Sequence, residues 1–274
     1  MSRTVRAAAL TVVVLAAGAA LVVLGHGTGT EAAPSGTFRV VLPEGFTRAQ
    51  MAARAGAAAA RAARLSGRPF ALTERAYDAA SATGHVPCFG TDVRASLEGF
   101  LFPATYDFGP ATTAAQLVAA QLQAFCREWS TVDLSYARSR NLTSYDVLEI
   151  ASMIEREVQA PRERSLVAAV VYNRLHAGMP LGLDAPLRYG LHIPPAQEIL
   201  ASQLADPTPY NTRVHAGLPP TPIANPGLAA LRAAARPAKV DYLYFVRRPG
   251  THESFFTASS EAFYAYECAN GYGC

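Results

Sequence analysis

The chain has 274 residues, half of them hydrophobic and 16% charged, with 24 Lys+Arg against 21 Asp+Glu for a net charge of +3. That is enough apolar material for one large or two small cored domains, and it excludes an intrinsically disordered chain. Lys239 is the single lysine, and the arginines are spread along the chain, so there is no concentrated basic footprint and nucleic acid is set aside as a partner.

Arg3 and Arg6 precede an uncharged run over 7–24, close to the ~20 residues a helix needs to cross a hydrocarbon core. Cationic flanks stay inside. The reading is therefore a cytoplasmic 1–6, a single-pass anchor over 7–24, a Gly/Thr-rich linker over 25–36 and the remainder outside the cytoplasmic membrane, in a periplasm or wall space. A cleaved signal peptide is the alternative, with Thr30 and Ala32 as a small-x-small site, although its apolar core is normally ~7–15 residues. In that oxidising space Cys88, Cys126, Cys268 and Cys274 can form two disulfides by any of three pairings, Cys268–Cys274 being a local staple. None has the CxxC spacing of a zinc site.

Residues 37–42 read as a strand, Pro43-Glu44-Gly45 as a turn, and Thr47 as the N-cap of an Ala-rich helix to about Leu65. Arg54, Arg61, Arg64 and Arg68 of that helix are read as a solvated face. Leu117, Val118, Leu122, Phe125 and Trp129 have helical spacing. Thr143 followed by Asp146 opens another helix through a start like a capping box. A third begins at Pro161, buries Val167, Val170, Val171 and Leu175, and stops at Gly178. Thirteen of the nineteen prolines lie beyond residue 160. The stretch 179–226 is thus expected to be mostly ordered loop with a short helix near 196–204, and loops of that length are usually functional. Asn225-Pro226 starts a last helix, and 241–246, 247–250 and 253–257 form a β-hairpin. Helices and strands mix without a regular β-α-β alternation, which predicts an α+β class.

No P-loop, dinucleotide-binding glycine fingerprint, HExxH or GxSxG motif is present, so several common enzyme classes lose their signatures. The informative segment is 148–158. On a helical wheel Val147, Ile150, Ala151, Ile154 and Val158 form an apolar stripe, Glu149 and Arg156 point away, and Glu155 and Glu157 sit at its borders. A carboxyl at an apolar edge loses hydration, which raises its pKa toward the range a general acid needs. The wheel permits Glu155 as a catalytic acid; border glutamates on amphipathic helices are more commonly solvated.

Ala151-Ser152-Met153-Ile154-Glu155-Arg156-Glu157, Val171-Tyr172-Asn173-Arg174-Leu175, Gly178-Met179-Pro180-Leu181 with Asp184, and Tyr189-Gly190 follow one another in the chain. They are joined by Leu97-Glu98-Gly99-Phe100-Leu101-Phe102-Pro103 upstream and by Pro209-Tyr210-Asn211-Thr212, the loop 217–227, Pro237-Ala238-Lys239 and Asp241-Tyr242-Leu243-Tyr244-Phe245-Val246 downstream. Together, over about 97–257, they resemble the YceG-like (MltG-type) endolytic lytic transglycosylases. The resemblance implies a truncated LysM-like β-α region over 37–90 and a mixed α+β catalytic domain over 91–274. It implies an enzyme that cuts peptidoglycan glycan strands internally between MurNAc and GlcNAc, leaves 1,6-anhydroMurNAc ends and terminates glycan elongation. No metal or cofactor is expected. The family's acid/base falls on Glu155, with Glu98, Asn173, Asp184, Tyr189, Tyr210, Asn211 and Thr212 as substrate-binding candidates, and peptidoglycan synthases as partners. Each of these candidates also has a structural reading, as a turn cap, a packed ring or a loop tie. The chain departs from the family pattern at Gly182, Ala185 and Pro186 around the aspartate, at Ala104, and at Arg213 where a tyrosine is usual. Two alternatives remain: a non-catalytic glycan-binding scaffold, and a hydrolase using Glu155 as acid with Asp184 or Glu98 as base, for which an inverting mechanism needs carboxyls ~6.5–9.5 Å apart.

Overall fold

The computed structural model describes residues 36–89, 91–93 and 96–272. The expected anchor, nearly all of the expected linker, and Cys274 lie outside them. No helix among the described residues is long and apolar enough to cross a membrane.

The first elements form where the local signals placed them. Strand β1 (Phe38–Val41) leads through a turn with Gly45 at φ +76° into helix α1 (Arg48–Ser66). Thr47 caps that helix, with its side chain accepting from Gln50 N–H while Gln50 returns a bond to the Thr47 N–H. Gly67 ends it in the left-handed conformation. Alanines 52, 55, 59 and 62 face inward and let α2 (Glu74–Ala80) approach closely. A β-carbon at Gly56 would lie 2.7 Å from the Glu74 backbone nitrogen. The arginine stripe of α1 is exposed.

Strand β2 (Gly84–Val86), a 3-10 turn (Pro87–Phe89) and β3 (Thr91–Val93) follow, and then β4 (Thr105–Phe108), which pairs antiparallel with β1. Helix α3 (Ala114–Trp129) buries Leu117, Val118, Phe125 and Trp129. Phe89, Phe100, Phe125 and Trp129 meet with ring centroids 5.0–5.9 Å apart. The disulfide Cys88–Cys126 fastens the 3-10 turn to α3 beside this cluster. Cys268 is also disulfide-bonded.

Short helix α4 (Ser135–Ser139) precedes α5 (Ser144–Glu157), which starts at the expected Thr143/Asp146 capping box. Helix α6 (Arg164–His176) begins after a 3-10 turn at Pro161–Glu163 and ends at Gly178, φ +65°. Helices α7 (Asp184–Gly190) and α8 (Ala201–Leu204) interrupt the long loop; α9 (Leu228–Ala235), the hairpin β5 (Tyr244–Arg247) and β6 (Ser254–Thr257), and α10 (Ser260–Ala269) complete the chain. Among the described residues the strands form three two-stranded antiparallel ladders, so the α+β class holds.

Three expectations need correction. Helix α5 is not an amphipathic surface helix: it packs against α9, α6 and α7, every residue from Val147 to Ile154 is buried, and Glu149, expected to point outward, is only 4% exposed. Packing from several sides covers a position that the wheel turns outward, whereas Arg156, in the last turn, is exposed as read. Burial lifts the Glu149 carboxyl to about 8. Second, α7 forms inside the expected loop, too short and too rich in Pro and Gly to show a period, with its first turn satisfied from outside: Ala185 N–H donates to Glu157 Oε1 at 3.0 Å. Third, α9 is not the last helix, because α10 packs on the hairpin through Phe255 and Tyr266, stacked at 4.2 Å.

Candidate active site

Glu155 sits in the last turn of α5. Its side chain is 8% exposed. Oε2 accepts the Gly227 N–H at the start of α9, at 3.1 Å, while the Arg164 guanidinium stands off at 3.8 Å from Oε1. The Arg164 Nε–H is buried and has no hydrogen-bond partner among the described residues, so this ion pair is not the close two-bond fork that would hold the acid ionised. Burial is the main effect on Glu155 and raises its pKa; the nearby Glu44 adds to the rise, while the Gly227 N–H and Arg164 oppose it. A carboxyl so placed holds its proton to higher pH than a solvated one and can give it up to a bound oxygen.

Glu157, two residues on, points elsewhere. It caps α7, and burial raises its pKa against the opposing pull of the Ala185 N–H. It lines a cavity of about 580 Å³ with Asp184, Arg174, Arg213 and the C-terminal hairpin. Asp184 pairs there with Arg213.

Glu98 belongs to a third environment. It is 3% exposed and accepts the Arg48 N–H on both oxygens (2.9 and 3.0 Å), the Asn225 side-chain N–H (2.7 Å) and the Tyr189 hydroxyl (3.3 Å). Desolvation nevertheless carries its pKa to about 7, these donors only partly offsetting it. Tyr189 meets Tyr210 edge-on at 5.2 Å, and Gly190 allows the approach, since a β-carbon there would lie 2.7 Å from Tyr210 Cβ. The Tyr210 hydroxyl bonds Thr221 Oγ1 at 2.8 Å. Glu98, Tyr189 and Tyr210 line one cavity of about 570 Å³, together with Arg48, Arg156 and Arg188.

The remaining candidates spend their side chains inside the protein. Asn173 donates to the Val240 and Tyr242 carbonyls and so fastens the lead-in to β5. Asn211 is fully buried and donates to Leu204 O and Asp206 O. Thr212 Oγ1 accepts the Leu183 N–H at 3.0 Å. All three hold loops. Glu155, Glu98 and Asp184 thus lie in three different surroundings, and neither Asp184 nor Glu98 makes a described contact with Glu155. Among the described residues no group of His, Cys, Asp and Glu is arranged to hold a metal.

Sequence reading assigned no site role to Glu44, Arg164, Asn225 or Gly227, although Asn225 and Gly227 stand in the 217–227 motif. Asn225 is the knot of the site: Oδ1 accepts from Gly99 and Leu101 N–H, and Nδ2 donates to Phe46 O and Glu98. These partners are 124 to 179 residues away in the chain, beyond the reach of any local pattern.

The fold and site define a mixed α+β protein organised around a buried helix that ends in a desolvated carboxyl. A model of the YceG-like family matches residues 18–267, and the chain belongs to that family. It is 36% identical over 163 residues to the endolytic murein transglycosylase of Bacillus subtilis (strain 168), covering 58% of this chain and 44% of that protein. It is 36% identical over 166 residues to the endolytic murein transglycosylase of Streptococcus pneumoniae serotype 2 (strain D39), covering 59% of this chain and 30% of that one. The chain thus spans less than half the length of these curated relatives. The crystal structure of a yceG-like protein from Listeria monocytogenes superposes with a TM-score of 0.68 at 27% identity, covering 86% of this chain and 76% of that one.

Proposed function

We propose that the chain is an endolytic lytic transglycosylase of peptidoglycan, with Glu155 as its single acid/base. The observation that carries the reading is the Glu155 carboxyl itself: nearly buried, held by one backbone N–H, and with its proton affinity raised by desolvation. The names of the relatives support murein as the substrate. In the mechanism, protonated Glu155 gives its proton to the glycosidic oxygen as the C1–O bond breaks, the bonding pair leaving with that oxygen. The MurNAc 6-hydroxyl oxygen then bonds C1 and returns its proton to the Glu155 carboxylate. Proton and charge balance without water, and the product ends in 1,6-anhydroMurNAc. Substrate-assisted stabilisation by the N-acetyl carbonyl would serve where other glycosidases use a second carboxylate. Glu98, Tyr189 and Tyr210, which line one cavity, are proposed to face the glycan together with Asp184; Asn173, Asn211 and Thr212 are proposed to act by holding the loops that shape the cleft. Anchoring through 7–24, a catalytic part outside the cytoplasmic membrane, a LysM-like role for 37–90 and co-operation with peptidoglycan synthases complete the proposal.

The test is mass spectrometry of glycan strands incubated with the 274-residue chain, wild type beside Glu155→Gln. Internal cuts with anhydroMurNAc ends are expected from the wild type, with a loss of at least about 100-fold in the variant. Reducing ends would make the protein a hydrolase, and no cleavage by folded wild type would make it a binding scaffold.

A further inference from the structure

Glu155 is faced across Gly227 by a second carboxylate. Glu44 stands exposed in the turn between β1 and α1, so close to Gly227 that a β-carbon there would lie 1.8 Å from Glu44 Oε1 and 2.1 Å from Cδ. The N–H of this same glycine donates to Glu155 Oε2. The turn that carries Glu44 is tied down. Gly45 N–H donates to Asn225 O and Asn225 N–H to Phe46 O, both at 2.9 Å, and Arg156 Nη1 donates to Gly45 O at 3.2 Å. Gly45 itself packs on the stem of the acid, a β-carbon built on it lying 3.5 Å from Glu155 Cγ.

We propose that Glu44 is a positioning residue of the Glu155 site: a carboxylate, carried to Gly227 by the tied turn of the N-terminal β-α unit, that keeps the proton on Glu155 until the glycosidic oxygen takes it. The inference rests on the reading of Glu155 as acid/base. The charged groups facing Glu155 are Glu44 from the β1–α1 turn, which favours the protonated acid, and Arg164 from the start of α6, which opposes it. From α9 comes the Gly227 N–H, and on α5 the neighbouring Arg156 is turned to the Gly45 carbonyl. Since Arg164 keeps its distance, removal of the Glu44 charge shifts the balance toward an ionised acid. On this view the N-terminal unit does more than tether glycan, because the centre is complete only with its turn in place.

The experiment compares Glu44→Gln and Glu44→Asp with wild type in the 274-residue chain. Two readouts are used: the pH profile of kcat/KM for anhydro-end formation, and the carboxyl 13C NMR titration of Glu155 in protein labelled at glutamate. Glu44→Gln should keep the wild-type denaturation midpoint and the anhydro product. It should lose on the order of tenfold in kcat/KM near neutral pH, with the alkaline limb moved to lower pH. Glu155 should titrate at lower pH in this variant, and Glu44→Asp should restore part of each effect. A Glu155 titration unmoved by Glu44→Gln overturns the proposal, whatever happens to the rate. If wild type itself cuts no glycan, the reading of Glu155 as acid/base falls, while the titration still decides whether Glu44 sets its protonation.

Discussion

Replacing Asn225 by Ala cuts the knot that joins the N-terminal turn, the Glu98 segment and the approach to α9. Asn225 has no exposed surface, and its amide makes four bonds: from Gly99 and Leu101 N–H at 2.9 Å each, to Phe46 O at 2.9 Å and to Glu98 Oε1 at 2.7 Å. Truncation leaves the Gly99 and Leu101 N–H without an acceptor, each costing about 1–3 kcal/mol when buried, while Phe46 O keeps the Asn225 backbone N–H and Glu98 Oε1 keeps the Arg48 N–H. For two such donors the expected loss is roughly 2–6 kcal/mol, a large part of the ~5–15 kcal/mol that holds a typical domain. Urea denaturation followed by circular dichroism, with the slope m unchanged, measures it. A loss below about 1 kcal/mol would refute the reasoning, because the four bonds would then be replaceable at no cost. Asn225→Asp sharpens the test. It keeps the two accepted bonds but sets a second carboxyl against Glu98, and two carboxyls in such contact do not both ionise. Its deficit should therefore grow from pH 5 to pH 8, whereas that of the alanine variant should change far less.

Two further outcomes follow from the same structure. Burial raises Glu98 from 4.5 to about 7 in the folded protein, so between those values the native state binds more proton than the unfolded chain. Its contribution is fully present below pH 4.5 and is lost as pH rises through about 7, a change of roughly 3 kcal/mol; Glu98→Gln should flatten the fall of unfolding free energy over that window, and an unchanged slope would refute the assignment. The Cys88–Cys126 link closes a loop of 38 residues, for which chain entropy gives about 4 kcal/mol. The double serine variant should lose most of that in denaturation, and a loss under about 1 kcal/mol would mean that the link restrains little in the unfolded chain.

Local chemistry was legible in the sequence. The Thr47 and Thr143 caps, the turn at Gly45, the stop at Gly178, the spacing of α3 and the C-terminal hairpin each depend on neighbours within a few residues, and each stands in the structure as read. The motif around Glu155 also carried the family, because its order along the chain is a one-dimensional property. What surrounds that residue is not one-dimensional. The wheel turned Glu149 to solvent, yet α5 is enclosed by helices that come later in the chain, and only their packing decides that Val147 to Ile154 are all buried while Arg156 stays exposed. Glu155 and Glu157 looked like two borders of one stripe, but the Gly227 N–H claims the first and α7 the second. Glu44 read as a turn residue, and only tertiary structure brings it to Gly227, beside a carboxyl 111 positions away. Desolvation and opposing charges depend on distances in space, which caps and periodicities do not encode.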